Sequence, residues 1–76
     1  MTEGVLMQIK ATDYKPEEVV KMIREWTELT QEQFAKSMHR TRKTVQSWEY
    51  GDSYMNLKTF FELTKKHNIE IIIRKK

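Results

Sequence analysis

The chain is 76 residues long, enough for one small domain with a thin core, and a dimer partner would be a natural source of extra burial. It holds no cysteine, which excludes disulfide staples and thiolate metal sites and fits a reducing, cytoplasmic setting. The net charge of +3 is uneven: residues 1–29 carry four basic and six acidic groups, residues 30–76 ten basic and five acidic, so the excess lies on the C-terminal part, as a phosphate-facing surface requires.

In chain order, residues 5–10 (VLMQIK) place Val5, Met7 and Ile9 on one face at period two, which predicts a strand. Pro16 then sets the start of a helix over about 16–26, since its missing N–H costs nothing in the first turn. Glu17 and Glu18 sit well against the helix N-terminal dipole. Val19, Ile23 and Trp26 recur at i, i+4 and i+7, with Val20 and Met22 alongside, and core packing accounts for all five.

Residues 29–51 (LTQEQFAKSMHRTRKTVQSWEYG) organise the rest of the chain and predict two short helices joined by a tight turn. Thr30 and Gln33 have the spacing of a capping box. Phe34, Ala35 and Met38 form one apolar stripe. Thr41 is a good cap for the second helix, over about 41–49, whose apolar positions are Val45 and Trp48. At about 100° per residue, Arg42, Lys43, Gln46 and Ser47 fall on the opposite arc. Between Gln33 and Trp48 stand Lys36, Arg40, Arg42 and Lys43 and no acid. That pattern suits a helix laid in a DNA major groove: Arg and Lys donate to guanine O6 and N7, and Gln pairs bidentately with adenine. Arg42, Lys43, Gln46 and Ser47 are therefore the candidate base readers, with Thr41 at the groove edge. Gln31 stands at a helix N-terminus, placed for a phosphate. Lys36, Arg40 and Tyr50 complete the candidate phosphate set.

This stretch resembles the helix-turn-helix of the Cro/Xre phage-repressor family. The family's Leu-Thr-Gln-Glu-x-Leu-Ala start is matched by Leu29-Thr30-Gln31-Glu32-Gln33-Phe34-Ala35, and its closing apolar-Glu-x-Gly run by Trp48-Glu49-Tyr50-Gly51. The likeness extends over about 20–69. Two positions depart from it: His39 stands where the family usually has glycine in the turn, and Arg40 where it usually has an apolar residue. The resemblance implies a four-helix, lambda-repressor-like domain, mainly α, with its helix-turn-helix core over about 16–69. It also implies a buried ion pair between Arg24 and Glu49; read without it, Arg24 is a solvated surface residue.

After a loop at 51–56, Asn56 can cap a last helix that ends near His67 and Asn68, Asn taking the left-handed position. Leu57, Phe60, Phe61 and Thr64 share one stripe there, with Leu63 beside it. Residues 69–74 (IEIIIR) hold four Ile in five positions, which favours a strand. The expected arrangement pairs it with 5–10 as a small antiparallel sheet against the helices. Either the sheet completes the monomer core, or the 69–74 strand offers its edge to a second copy. Many members of the family carry a fifth helix at this place.

Other chemistry is not indicated. His39 and His67 have no metal-ligand pattern. Gly4 and Gly51 are the only glycines, too few for a phosphate loop, and no nucleophile motif surrounds the serines. No stretch approaches the ~20 apolar residues of a membrane span, and no basic-then-apolar leader stands at the N-terminus. The expectation is a single domain over 1–76 that is no enzyme, takes no cofactor or metal, and binds double-stranded DNA as a homodimeric repressor with a roughly palindromic operator. The alternative is an antitoxin-type protein that binds a toxin partner through its Ile-rich end and represses its own operon. An interaction scaffold without a DNA role fits poorly, because a merely solvated face is usually mixed in sign.

Overall fold

The computed structural model describes residues 7–76. One 3-10 turn, Ala11–Asp13, precedes four helices: α1 (Pro16–Thr27), α2 (Gln31–Ser37), α3 (Arg42–Tyr50) and α4 (Leu57–Lys66). The starts of α2, α3 and α4 each carry a side chain that accepts a free helix amide, and at α1 the bond runs the other way, from the cap residue's amide to a side chain. The Lys15 amide ahead of α1 donates to Glu18 Oε1 at 2.8 Å, with Pro16 in the first turn. At α2 the capping box closes in both directions, Gln33 N–H to Thr30 Oγ1 at 3.1 Å and Thr30 N–H to Gln33 Oε1 at 2.9 Å. Thr41 Oγ1 accepts from the Thr44 amide at 3.3 Å, and Asn56 Oδ1 from the Thr59 amide at 2.7 Å.

The helix ends use the left-handed backbone. Glu28, His39, Gly51 and Asn68 all have positive φ, between 55° and 82°. After α2, His39 N–H bonds Lys36 O and Arg40 N–H bonds Ala35 O at 2.8 Å, the paired closure of a Schellman motif. After α4, Asn68 and Ile69 repeat it on Lys65 and Thr64. His39 thus does the work of a turn glycine without glycine's steric freedom.

Helix α3 packs against both α2 and α1. The core is Val20 and Ile23 from α1, Phe34 and Ala35 from α2, Val45 and Trp48 from α3, and Leu63 from α4. Phe34, Val45 and Leu63 are fully buried. On α4 the buried positions are Thr59, Leu63 and Thr64, with Phe60 half-buried. The stripe read from the sequence is therefore rotated: Leu57 and Phe61 lie outside. Burying Thr64 is inexpensive because its hydroxyl donates to Phe61 O at 3.0 Å, so no polar group is stranded.

The expected antiparallel sheet is not formed. Among the described residues there is no strand: 7–10 and 69–76 are irregular. Val5 and Leu6 of the N-terminal strand lie outside the described residues. Strand propensity reflects a surface to pack against, and a lone two-stranded ribbon is marginal. Here only Ile69 reaches the core, and its amide is already spent on Thr64 O in the cap of α4. Ile72 and Ile73 stay 65% and 89% exposed. The proposed strand 69–74 therefore gives no paired edge for a second copy. No helix among the described residues is long and apolar enough to cross a membrane.

Candidate nucleic-acid interface

The Thr41 cap lets α3 begin at Arg42, so the first turn projects Thr41, Arg42 and Lys43, all exposed. Val45, Trp48 and Glu49 turn inward. Lys43, Gln46, Ser47 and Tyr50 follow at i, i+3, i+4 and i+7, one outward stripe along the helix. Gln46 and Ser47 are half-exposed and Tyr50 is 70% exposed. Tyr50, assigned from sequence to the phosphate set, thus shares a face with the candidate base readers. Its phenol ends the stripe and offers an aromatic surface as well as a hydroxyl.

Two hydroxyls of this helix already have partners. Ser47 Oγ lies 2.7 Å from Ser53 Oγ, and the amides of Asp52 and Ser53 turn back to Ser47 O. Ser47 therefore also anchors the loop after α3, a role that residue spacing along one helix does not reveal. Thr44 Oγ1 meets Thr41 Oγ1 at 3.1 Å.

The cations around the stripe are uncompensated. Among the described residues no carboxylate lies within 4 Å of Lys36, Arg40, Arg42 or Lys43. Lys36 is exposed in the last turn of α2. Arg40 is exposed in the turn, and its guanidinium donates to Met38 O at 3.2 Å, which folds it over the joint between the two helices.

What orients α3 is an ion pair at its far end. Arg24 donates from Nε to Glu49 Oε2 at 2.6 Å and from Nη2 to Oε1 at 3.0 Å, a two-point fork. Its Nη1 also donates to Leu29 O at 3.0 Å. The Glu49 side chain is 2% exposed and that of Arg24 15%. The hydrogen bonds to Glu49 hold the Arg24 guanidinium above its ordinary pKa, against the opposing effect of burial. Gln31, the first residue of α2, completes the arrangement by donating Nε2 to Glu49 Oε1 at 3.1 Å. One carboxylate thus joins α1, α2 and α3. Gln31 is half-buried, so its amide is committed to this junction rather than held free at the helix start.

A second junction holds α2 to the end of α4. The His67 ring stacks on Phe34 with centroids 5.3 Å apart, and its Nε2 lies 3.3 Å from Ser37 Oγ. Ser37 gives its one proton to Phe34 O at 2.7 Å, so His67 Nε2 is the donor in that contact. Burial, and then the positive charge of Lys66, push the His67 pKa down.

Comparison with protein-family models, with curated proteins and with solved structures finds no match to this chain.

Proposed function

We propose that this chain is a sequence-specific, double-stranded-DNA-binding transcriptional regulator, working in the cytoplasm as a homodimeric repressor. In this reading α3 enters the major groove. Arg42, Lys43, Gln46 and Ser47 read base edges, with Thr41 at the groove margin. Lys36, Arg40 and Tyr50 contact phosphates, and Gln31 contributes by setting the angle between α2 and α3. The activity is binding and not catalysis.

One observation carries the reading. The outward face of α3 presents two cations and an amide with no acid to neutralise them, on a helix capped at its start and clamped at its end by Arg24, Glu49 and Gln31. Binding to a base edge requires side chains placed to within a fraction of an ångström, and such a frame supplies that.

The test is selection of bound duplexes from a random pool at near-physiological salt. The expected result is a palindrome with half-sites about one helical turn, ~34 Å, apart. Failure to enrich any sequence with folded protein overturns the reading.

A second reading, that the chain neutralises a partner protein such as a toxin, is favoured by the exposed Ile72 and Ile73 of the unpaired C-terminal segment. Pull-down with Ile72→Ser/Ile73→Ser as the control distinguishes it.

A further inference from the structure

Helix α4 shows two faces. Thr59, Phe60, Leu63 and Thr64 turn inward. Leu57 and Phe61 are left 65% and 46% exposed. Together with Lys58, Glu62 and Lys65 they line a shallow, almost wholly apolar depression along the outer side of the helix. Leu57 also borders the groove of about 390 Å³ that runs past Tyr54, Met55 and Phe60 toward Val19 and Trp48. Tyr54, 63% exposed, extends the apolar surface beyond the helix start. A large aliphatic and an aromatic side chain one turn apart, both facing water, call for a partner more than single scattered apolar residues do.

The pattern is self-complementary. Lys58 and Glu62 follow Leu57 and Phe61 by one residue, so they lie about 100° further round the helix. Leu57 and Phe61 form one flank of the outer face, and Lys58 and Glu62 form the other. A two-fold axis perpendicular to two antiparallel helices brings each flank against its own copy. With the axis at the level of residue 59, Leu57 meets Phe61 of the second copy. With the axis at residue 60, Lys58 meets Glu62 of the second copy on the other flank, and each pairing occurs twice. The two registers differ by one residue, about 1.5 Å along the axis, which side chains absorb. A parallel pairing about a two-fold would instead set the Leu57 and Phe61 flank against the Lys58 and Glu62 flank of the second copy, apolar against charged.

We propose that the outer face of α4 is the homodimer interface, formed by antiparallel α4–α4 packing of Leu57 on Phe61 with Lys58–Glu62 pairs across the two-fold. This deepens the dimeric reading above and replaces the C-terminal strand as the dimer element. Two ten-residue helices bury little area, so the dimer is weak and concentration-dependent.

Sedimentation equilibrium of the full chain without DNA, over a wide range of concentration, tests it. The wild type is expected to pass from monomer to dimer. Phe61→Glu is expected to weaken dimerisation about tenfold or more, since it sets a charge in the apolar contact. Lys58→Glu and Glu62→Lys each place like charges opposite one another twice and weaken it several-fold. The double variant Lys58→Glu/Glu62→Lys restores the wild-type constant. Circular dichroism confirms that each variant is folded. Four outcomes overturn the inference: a wild type that stays monomeric throughout, a dimer indifferent to Phe61→Glu, no rescue in the double variant, or a dimer lost on Ile72→Ser/Ile73→Ser instead. A monomer that still selects a DNA sequence refutes this interface and leaves the DNA reading standing. A dimer behaving as described without sequence selection does the reverse.

Discussion

The side-chain amide of Gln31 donates to Oε1 of Glu49 at 3.1 Å, so the first residue of α2 is fastened to the last turn of α3. The carboxylate it reaches is the one that Arg24 grips from α1. The angle between the two short helices is therefore held by a polar junction at one end and by Phe34, Ala35, Val45 and Trp48 between them. Gln31→Ala is expected to lower unfolding stability by about 1–2 kcal/mol in urea, because a hydrogen bond to a buried charge is lost. Unchanged stability would show the amide contact to be dispensable to the fold.

The ion pair makes an asymmetric prediction. Arg24→Ala leaves the Glu49 carboxylate, 2% exposed, with Gln31 alone, and is expected to cost about 3–5 kcal/mol. Glu49→Ala leaves Arg24, whose long side chain has a path to water, and is expected to cost less, about 2 kcal/mol. Thermal and urea melting read both. Losses under about 1 kcal/mol in each would mark the pair as energetically a surface contact.

The two left-handed turns flanking α3 predict opposite signs. Gly51 has φ of 82°, and a Cβ added there meets Glu17 Oε2 at 2.8 Å. The carboxylate can swing away, but the backbone strain stays, so Gly51→Ala is expected to destabilise by about 1–2 kcal/mol. His39 has φ of 55°. His39→Gly relieves strain there and is expected to stabilise by up to about 1 kcal/mol, the gain being trimmed by glycine's extra freedom in the unfolded chain. Chemical denaturation of both variants is the check; a loss at His39→Gly would show that the ring makes a contact worth more than the strain.

His67 predicts a pH dependence. Its pKa is lowered in the folded protein, by burial and then by Lys66. The unfolded chain therefore binds the proton more readily between the folded value and the ordinary value of about 6.5. Stability is full above that window, falls as pH drops through it, and stays at the lowered level, with no further change from this group, once pH is below the folded value. Urea midpoints from pH 8 to pH 5 should show the decline, and His67→Gln should flatten it. An unaltered decline in the variant would assign the effect to other groups.

Specificity and affinity separate on different residues. Gln46→Ala is expected to cost about 1–3 kcal/mol on the selected sequence and to relax preference at one base pair. Lys36→Ala is expected to weaken all sequences alike and to reduce the slope of log K against log salt by about 0.9. Binding titrations at several salt concentrations on selected and random duplexes distinguish the two. Equal weakening by Gln46→Ala on both duplexes would make Gln46 a positioning residue.

Much of the helical frame is legible along the chain because it is built from local rules. Thr30 with Gln33, Thr41, Asn56 and Pro16 mark helix starts through bonds that span three residues or fewer. Asn68 and Gly51 mark ends for the equally local reason that the left-handed backbone suits them. Val20, Ile23, Phe34, Ala35, Val45 and Trp48 are recognisable as core from periodicity, whereas Leu63 stands beside the α4 stripe that periodicity picks out. The sheet is not foreseeable in this way. Val5, Met7 and Ile9 at one end and the Ile run at the other have strand composition, but whether a strand forms depends on a neighbour that lies far off in sequence.

The sequence by itself determined where the four helices begin and end, and the chemistry carried on the outward face of α3, since both follow from neighbours within one or two turns. Only the tertiary structure decided how those helices meet: that Gln31 and Arg24 converge on Glu49, that His67 stacks on Phe34, that Ser47 holds Ser53, and that α4 turns Thr59, Leu63 and Thr64 inward and leaves Leu57 and Phe61 outside. The physical reason is that a short amphipathic helix has more apolar positions than a thin core can bury. Which of them face water is settled by the shape of the neighbouring helices, not by the period of the helix itself.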